Sequence, residues 1–364
     1  MKFLSAPMLW CALTPSLLAQ TPSSQPGLRE VERILAGLVE TYGVSGMEAP
    51  VRARIERSLP SGLRPQTDSA GNLWVTVGSG EPTVVFVAHM DEVGFRVTGI
   101  RDDGSLDLEP VGGLFPSLWE GKPALVHTGQ KTVAGVFLPR DSSPAEPVRT
   151  PPSVRADVGT ISRDATVALG IRVGNTLTMP KEFVRLANTR ATGRSFDDRV
   201  GSAAQLVAVQ RLARSRLRHR VVFVWSVREE IGLEGARAVA NTLGLEAARV
   251  HAIDTFVSAD SPLEPGNFAV APLGRGAVAR ALDNSSVTPP ALLDTLVTVA
   301  RSNRIPLQVG TTNGGNDGSV FGVYGVPDVP IAWPLRYSHS PAETIDLRDV
   351  VSLTRMIVAV AEQW

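Results

Sequence analysis

The chain has 364 residues, 43% of them hydrophobic and 20% charged, which allows a large core and a main domain with a smaller companion. Basic and acidic side chains balance at 36 each, so no overall field favours nucleic acid or an anionic membrane, and a small-molecule or peptide partner is expected. A single cysteine, Cys11, rules out an intrachain disulfide.

Lys2 precedes the apolar run FLSAPMLWCALTPSLL, which is too short to span a bilayer and is broken by Pro7 and Pro15. With LLA ending at Ala19, residues 1–19 read as a signal peptide and 20–27 as a linker. A secreted or periplasmic protein is expected, with no membrane segment in its mature form. Removal of Cys11 would leave no thiol to act as ligand or nucleophile.

Leu28, Val31, Leu35, Leu38 and Tyr42 recur at helical spacing, and Val51, Ile55 and Leu59 repeat the pattern. Strands follow at NLWVTVG and TVVFVAH, and later at RVVFVWSV, RVHAID, IPLQV and VPIAW. Helical segments lie between several of them, at 200–212, 290–300 and 347–361. The run from Val221 to Val227 lacks polar alternation, the mark of a strand covered on both faces. The expected fold class is therefore α/β, a three-layer sandwich around a largely parallel sheet. Residues 95–190 break the rhythm with short strands and turns, and read as a small inserted β domain; the main domain would be 28–94 plus 191–364. The proline- and serine-rich stretch from Pro139 reads as a loop.

Polar residues gather where these strands end. His89 and Asp91 end TVVFVAH, Glu229 and Glu230 follow RVVFVWSV, Asp254 ends RVHAID and His339 follows VPIAWPLRY. Open α/β sheets bind ligands beyond the carboxyl ends of their strands. Asp197 and Asp198, in SFDDRVG, stand at a helix start, where an N-cap is the ordinary reading. Glu229 and Glu230 alone would be a solvated loop pair. Of the other histidines, His219 reads as solvated, His127 belongs to the insert and His251 points away from Asp254. In His89-x-Asp91 the acid can return to the imidazole and fix its tautomer. His89, Asp197, Glu230, Asp254 and His339 together supply five nitrogen or oxygen ligands. Three of these are carboxylates, whose charge two divalent cations and a hydroxide would nearly neutralise.

AHMDEVGF, SFDDRVG, REEIGLEGA, AIDT and PLRYSHSP, in this order, resemble the signature blocks of the M42 metalloaminopeptidases, the glutamyl and tetrahedral aminopeptidase group. DDGSLDLEPVGG and DVGTISRDATVALGIRVG are similar to that family's inserted β-barrel. The resemblance implies that Asp197 bridges two metal ions, with Glu230 and His339 on one and His89 and Asp254 on the other. Zinc is the first choice, with cobalt and manganese as alternatives. It further implies that Glu229 is the general base acting on a metal-bridged water, that Asp91 orients His89, and that the Asp197–Asp198 peptide is cis. The substrates would be peptides shortened from the N-terminus, and the protein a homo-oligomer, possibly a dodecamer. The chain departs from the family at VFLPRDSSPAEP, which lacks a usual histidine, and at GGNDGS (314–319). Other readings are a metal-dependent deacylase or carboxypeptidase, a carboxylate-pair glycosidase, or an inactive secreted metal- or peptide-binding protein. No G-x-S-x-G elbow supports serine chemistry.

Overall fold

The computed structural model describes residues 27–139, 154–260 and 270–364. The expected signal peptide, nearly all of the linker and the segment 140–153 lie outside the described residues. The expected layers are present. The sheet at their centre runs in the order Gln66–Thr67, Leu73–Val77, Arg220–Ser226, Thr83–His89, Ala247–Ala252. Its last three strands are parallel and the first two antiparallel, so the sheet is mixed. A second mixed sheet of four strands holds Thr255–Val257, Ile331–Leu335, Ala277–Leu282 and Leu307–Thr311. The two approach each other where Val250 bridges Asp328.

The unbroken apolar runs have a simple cause. Successive strand side chains point to opposite faces, and here both faces are cores. Val84, Phe86, Val221, Phe223 and Trp225 pack with the helices Leu28–Val39, Phe196–Leu212 and Leu347–Gln363. Val85, Val87, Val222 and Val224 pack on the other side against Glu234–Leu243 and the 3-10 turn Asp317–Tyr324. Two coverings leave no place for a polar residue until the strands end.

Between Gly94 and Thr178 six strands close into a barrel. Its core centres on Phe95, Trp119 and Phe137, all fully buried, with ring centroids 5.2–5.5 Å apart. The stretch FVRLANTRATG pairs elsewhere. Val184–Arg185 and Arg190–Gly193 form a small antiparallel sheet with Glu343–Asp346. His219, expected in solvent, is 7% exposed. Its neighbours are charged, but it directly precedes the buried strand Arg220–Ser226, and its own carbonyl would lie 2.3 Å from a Cβ at Gly78.

Candidate active site

The parallel strands Thr83–His89 and Arg220–Ser226 run in register, and His89 pairs with Ser226 at the shared edge. Asp91 and the Glu229–Glu230 pair emerge just beyond it, and Asp254 two residues past the neighbouring strand Ala247–Ala252. Asp197 enters from the start of the helix Phe196–Leu212, and His339 from the loop after Ile331–Leu335. Asp197, Glu229, Glu230, Asp254 and His339 line one cavity of about 460 Å³.

The ligand atoms converge. His89 Nε2 lies 3.2 Å from Asp197 Oδ1, and His339 Nε2 lies 3.4 Å from Asp197 Oδ2 and 3.3 Å from Glu230 Oε1. Among the described residues, His89, Asp197 and Glu230 form the one group whose donor atoms could all reach a single ion. Asp254 shares the cavity, with its Oδ2 3.7 Å from the Arg280 guanidinium. The donor set fits a divalent cation. Ligands about 2.0–2.1 Å from a tetrahedral zinc stand about 3.3 Å apart, and the observed separations are 3.2, 3.4 and 3.3 Å. Glu230 Oε1 is buried and, beside the His339 Nε2 at 3.3 Å, accepts no well-directed hydrogen bond. A cation would satisfy it.

The electrostatics agree. Burial disfavours a charged His89, but hydrogen bonds to Asp197 and Asp91 outweigh it and hold the imidazole well above its ordinary pKa. His339 is likewise raised against its burial, by the charge of Glu230 and a hydrogen bond to Asp197. Asp197 is held below the carboxylate range despite burial, because it faces both imidazoles. Burial pushes Asp254 up to about 6 against the pull of Arg280. Burial also raises Glu229 strongly; His89 counteracts it, and the charges of Asp254 and Glu230 add to it. The two imidazoles are thus drawn toward their charged forms by Asp197, while burial and crowding push Asp254 and Glu229 toward neutrality.

Asp91 has wider duties than its motif suggests. Its Oδ1 stands 3.4 Å from His89 Nδ1 and accepts from the Glu229 N–H at 3.0 Å. Its Oδ2 accepts from Ser45 Oγ at 2.6 Å and from the Glu230 N–H at 3.2 Å. One carboxylate thus stands beside a histidine and holds the backbone of both glutamates. The Asp197–Asp198 peptide bond is cis. Asp198 is the N-cap of ordinary expectation, accepting from the Gly201 N–H at 2.8 Å and from Trp333 Nε1 at 3.2 Å. Asp197 faces the histidines instead.

The family model for M42 glutamyl aminopeptidases matches residues 71–356, well over half the chain. The chain belongs to the M42 family. This protein is a metal-dependent aminopeptidase, and divalent metal is the cofactor class of its family. The lysyl aminopeptidase of Pyrococcus furiosus is 30% identical over 342 residues, covering 91% of this chain and 96% of that protein. Among solved structures, PhTET1-12s, a dodecamer in its asymmetric unit, superposes with a TM-score of 0.84 at 32% identity, covering 92% and 99% of the two chains. The Pyrococcus horikoshii TET1 peptidase, which can assemble into a tetrahedron or a large octahedral shell, gives 0.84 at 31% identity over 92% of this chain and all of the other.

Two further residues of this M42 site carried no separate signal. Glu343 is 2% exposed, and its Oε2 accepts from the N–H groups of Phe196 and Asp197 at 2.6 and 3.3 Å. Its Oε1 accepts from the His339 N–H at 2.9 Å, so one carboxylate fixes the backbone of two candidate ligands. Asp317 is the other, buried below the site with a hydrogen bond to Ser226 Oγ. Five non-glycine residues with left-handed backbones flank the cleft: Ser195, Arg228, Leu233, Tyr337 and His339. Strain of this kind gathers at functional sites.

Proposed function

We propose that this aminopeptidase uses two divalent ions, zinc by first choice and cobalt or manganese as alternatives. Asp197 would lie between them, Glu230 and His339 on one ion, His89 and Asp254 on the other. The observation that supports this most is the 3.2–3.4 Å convergence of His89, Asp197, Glu230 and His339 around a common space, with Asp254 and Glu229 lining the same cleft. Such ions lower the pKa of water and polarise the scissile carbonyl.

The chain's own residues do the rest. Glu229 reaches the cleft but belongs to no ligand set, and its backbone is tied to Asp91. It is assigned the general base, taking the proton of the attacking water at its carboxylate and returning it to the leaving amine. Asp91 keeps the His89 ring in place through Nδ1 and so presents Nε2 to the cleft. The substrate's free α-amine would be held by the metal site and nearby carboxylates such as Glu229, which sets the first peptide bond over the reacting water and admits no residue before it. Glycosidase chemistry is disfavoured, because acids engaged with cations cannot also act as a free acid–base pair.

Unblocked and N-acetylated copies of a short peptide test the reading by mass spectrometry. Residues should leave the unblocked copy one at a time from its N-terminus, and the acetylated copy should stay intact. Release of acetate, or trimming from the C-terminus, would move the assignment to a deacylase or carboxypeptidase.

A homo-oligomer, specifically a dodecamer, is proposed from the assemblies formed by PhTET1-12s and the P. horikoshii enzyme. A monomeric mass by light scattering would remove it. Export is proposed from the sequence of residues 1–19 alone.

A further inference from the structure

The cleft has an aromatic wall that the chemistry above leaves unused. Phe115 lines it and is 60% exposed, although a phenylalanine gains much from burial. Its place is fixed from both sides. The Gly112 backbone has φ +84, and a Cβ there would stand 3.2 Å from Glu230 Cβ, so glycine lets this barrel loop approach the site. The Gly113 carbonyl accepts a hydrogen bond from His339 Nδ1. Leu114 turns away and packs on the barrel core. Beyond Phe115, the 3-10 turn Pro116–Leu118 closes with the Leu118 N–H donating to the Phe115 carbonyl at 3.0 Å. Trp119 then locks into the barrel core against Phe95 and Phe137. The ring is presented to the cleft on a loop anchored at both ends.

The charges nearby narrow what that ring meets. Arg280, the one guanidinium among the described residues lining the cleft, is 2% exposed. It donates to the Gly315 and Asn313 carbonyls at 3.2 and 3.5 Å, and its Nε lies 3.3 Å from Asp283. It is already engaged. The acids are committed to the proposed ions and base, and the other lining side chains include the half-buried Leu233 and Val257. Among the described residues this wall has no free charge to pair with a charged side chain, and an unpaired charge is costly to bury.

Position sets which substrate residue is concerned. On the proposed reading the terminal amine sits beside the carboxylates Asp197, Glu229, Glu230 and Asp254, so everything after the scissile bond runs away from them. Phe115 lines the same cavity from the barrel loop and is exposed enough for a substrate to reach. Resting on the aminopeptidase reading, we infer that Phe115 is a specificity-determining residue that receives an apolar side chain from the residue following the scissile bond. The favoured substrates are peptides with leucine, phenylalanine or a similar group in second position.

Three substrates with a common first residue test this: a peptide with phenylalanine second, one with serine second, and the simple amide, which has no side chain beyond the scissile bond. kcat/KM is measured for the wild type, Phe115→Leu and Phe115→Ser. The wild type should prefer the phenylalanine peptide by about tenfold, the scale of a modest hydrophobic contact in a pocket. Phe115→Ser should abolish that ratio and Phe115→Leu retain part of it. A ratio unchanged in Phe115→Ser, or equal losses on all three substrates, overturns the inference and leaves the aminopeptidase reading intact. A changed oligomeric mass in Phe115→Ser would assign the ring to a subunit contact and also overturn it. If the wild type cleaves none of the three, the aminopeptidase reading itself fails, and the inference with it.

Discussion

Replacing Glu343 with glutamine removes one oxygen from a buried carboxylate that receives three backbone N–H groups, those of Phe196, Asp197 and His339. The best a glutamine can do is turn its oxygen to Phe196 and Asp197, which sets its NH2 against the His339 N–H. One buried donor is then unsatisfied and faces another donor. An unsatisfied buried group costs about 1–3 kcal/mol, so Glu343→Gln should lose roughly 2–3 kcal/mol of stability, and Glu343→Ala, which strands all three, should lose more. The distinctive consequence concerns metal. Asp197 and His339 are candidate ligands whose backbones hang on this carboxylate, and loss of a supporting group typically weakens metal binding about 10–100-fold. Urea unfolding of the metal-free protein and zinc titration of each variant measure both effects. Glu343→Gln within about 0.5 kcal/mol of the wild type, the range of a neutral surface change, and with the same zinc affinity, would refute the role given to Glu343.

Glu229→Gln should keep the wild-type metal content and lower turnover by about 10²–10⁴-fold, the usual worth of a general base; full activity at full occupancy would remove Glu229 from the mechanism. Thorough chelation should abolish hydrolysis, with recovery on adding Zn²⁺ or Co²⁺, and an unchanged rate in the metal-free protein would sink the metal reading. His251 is buried and holds its Nδ1 2.8 Å from the Val329 carbonyl, and burial followed by the charge of Arg249 lowers its pKa from 6.5 to about 3. The unfolded chain therefore binds more protons between these values, so the contribution is complete above pH 6.5 and is lost as pH falls toward 3, at about 1.4 kcal/mol per pH unit. His251→Phe should flatten the stability profile between pH 6.5 and 5 by that slope, and an unchanged profile would count against a neutral buried His251.

The sandwich was legible because its central strands serve two cores at once. Thr83–His89 and Arg220–Ser226 alternate between the two coverings, so each reads as continuous apolar sequence that stops where the cleft begins. The acids just past those ends stood out for the same reason. What escaped notice acts through backbone groups remote in sequence. Glu343 reaches Phe196 across 147 positions, and no local pattern announces a carboxylate that binds N–H groups. Phe115 resembles any core aromatic until the close approach of Gly112 and Gly113 to Glu230 and His339 is seen. His219 looked solvated because arginines flank it, yet its place beside a central strand decided its burial. The residues alone left Asp197 and Asp198 as equal N-cap candidates, the resemblance set Asp197 apart, and only Asp198 accepts a capping N–H, that of Gly201.

The barrel joins the main domain through a cluster of buried charge, and that cluster abuts the candidate site at Asp91 and Asp197. Glu92, directly after Asp91, is 1% exposed and receives Lys181 Nζ at 2.8 Å and Arg194 Nη2 at 2.7 Å, with Arg199 Nη2 at 3.5 Å. It also accepts from the Gly43 N–H at 2.7 Å and from Ser195 Oγ. Burial alone would raise this carboxyl, but the charges of Lys181, Arg194 and Arg199 hold it below the carboxylate range. Glu92 lies just before the first barrel strand, and Arg194 and Ser195 just before Asp197. Two distant stretches of chain therefore meet at one carboxylate. Removing one member of such a buried cluster strands the rest, at a cost of about 3–5 kcal/mol, so the stretches bearing Asp91 and Asp197 are held in register by the same group. His339 adds a second tie through the Gly113 carbonyl, on the loop that carries Phe115. A shift of the barrel would have to break one tie or the other; the first lies one residue from Asp91, and the second ends on His339, which lines the cleft. The insert is thereby part of the site's framework as well as a neighbour to it.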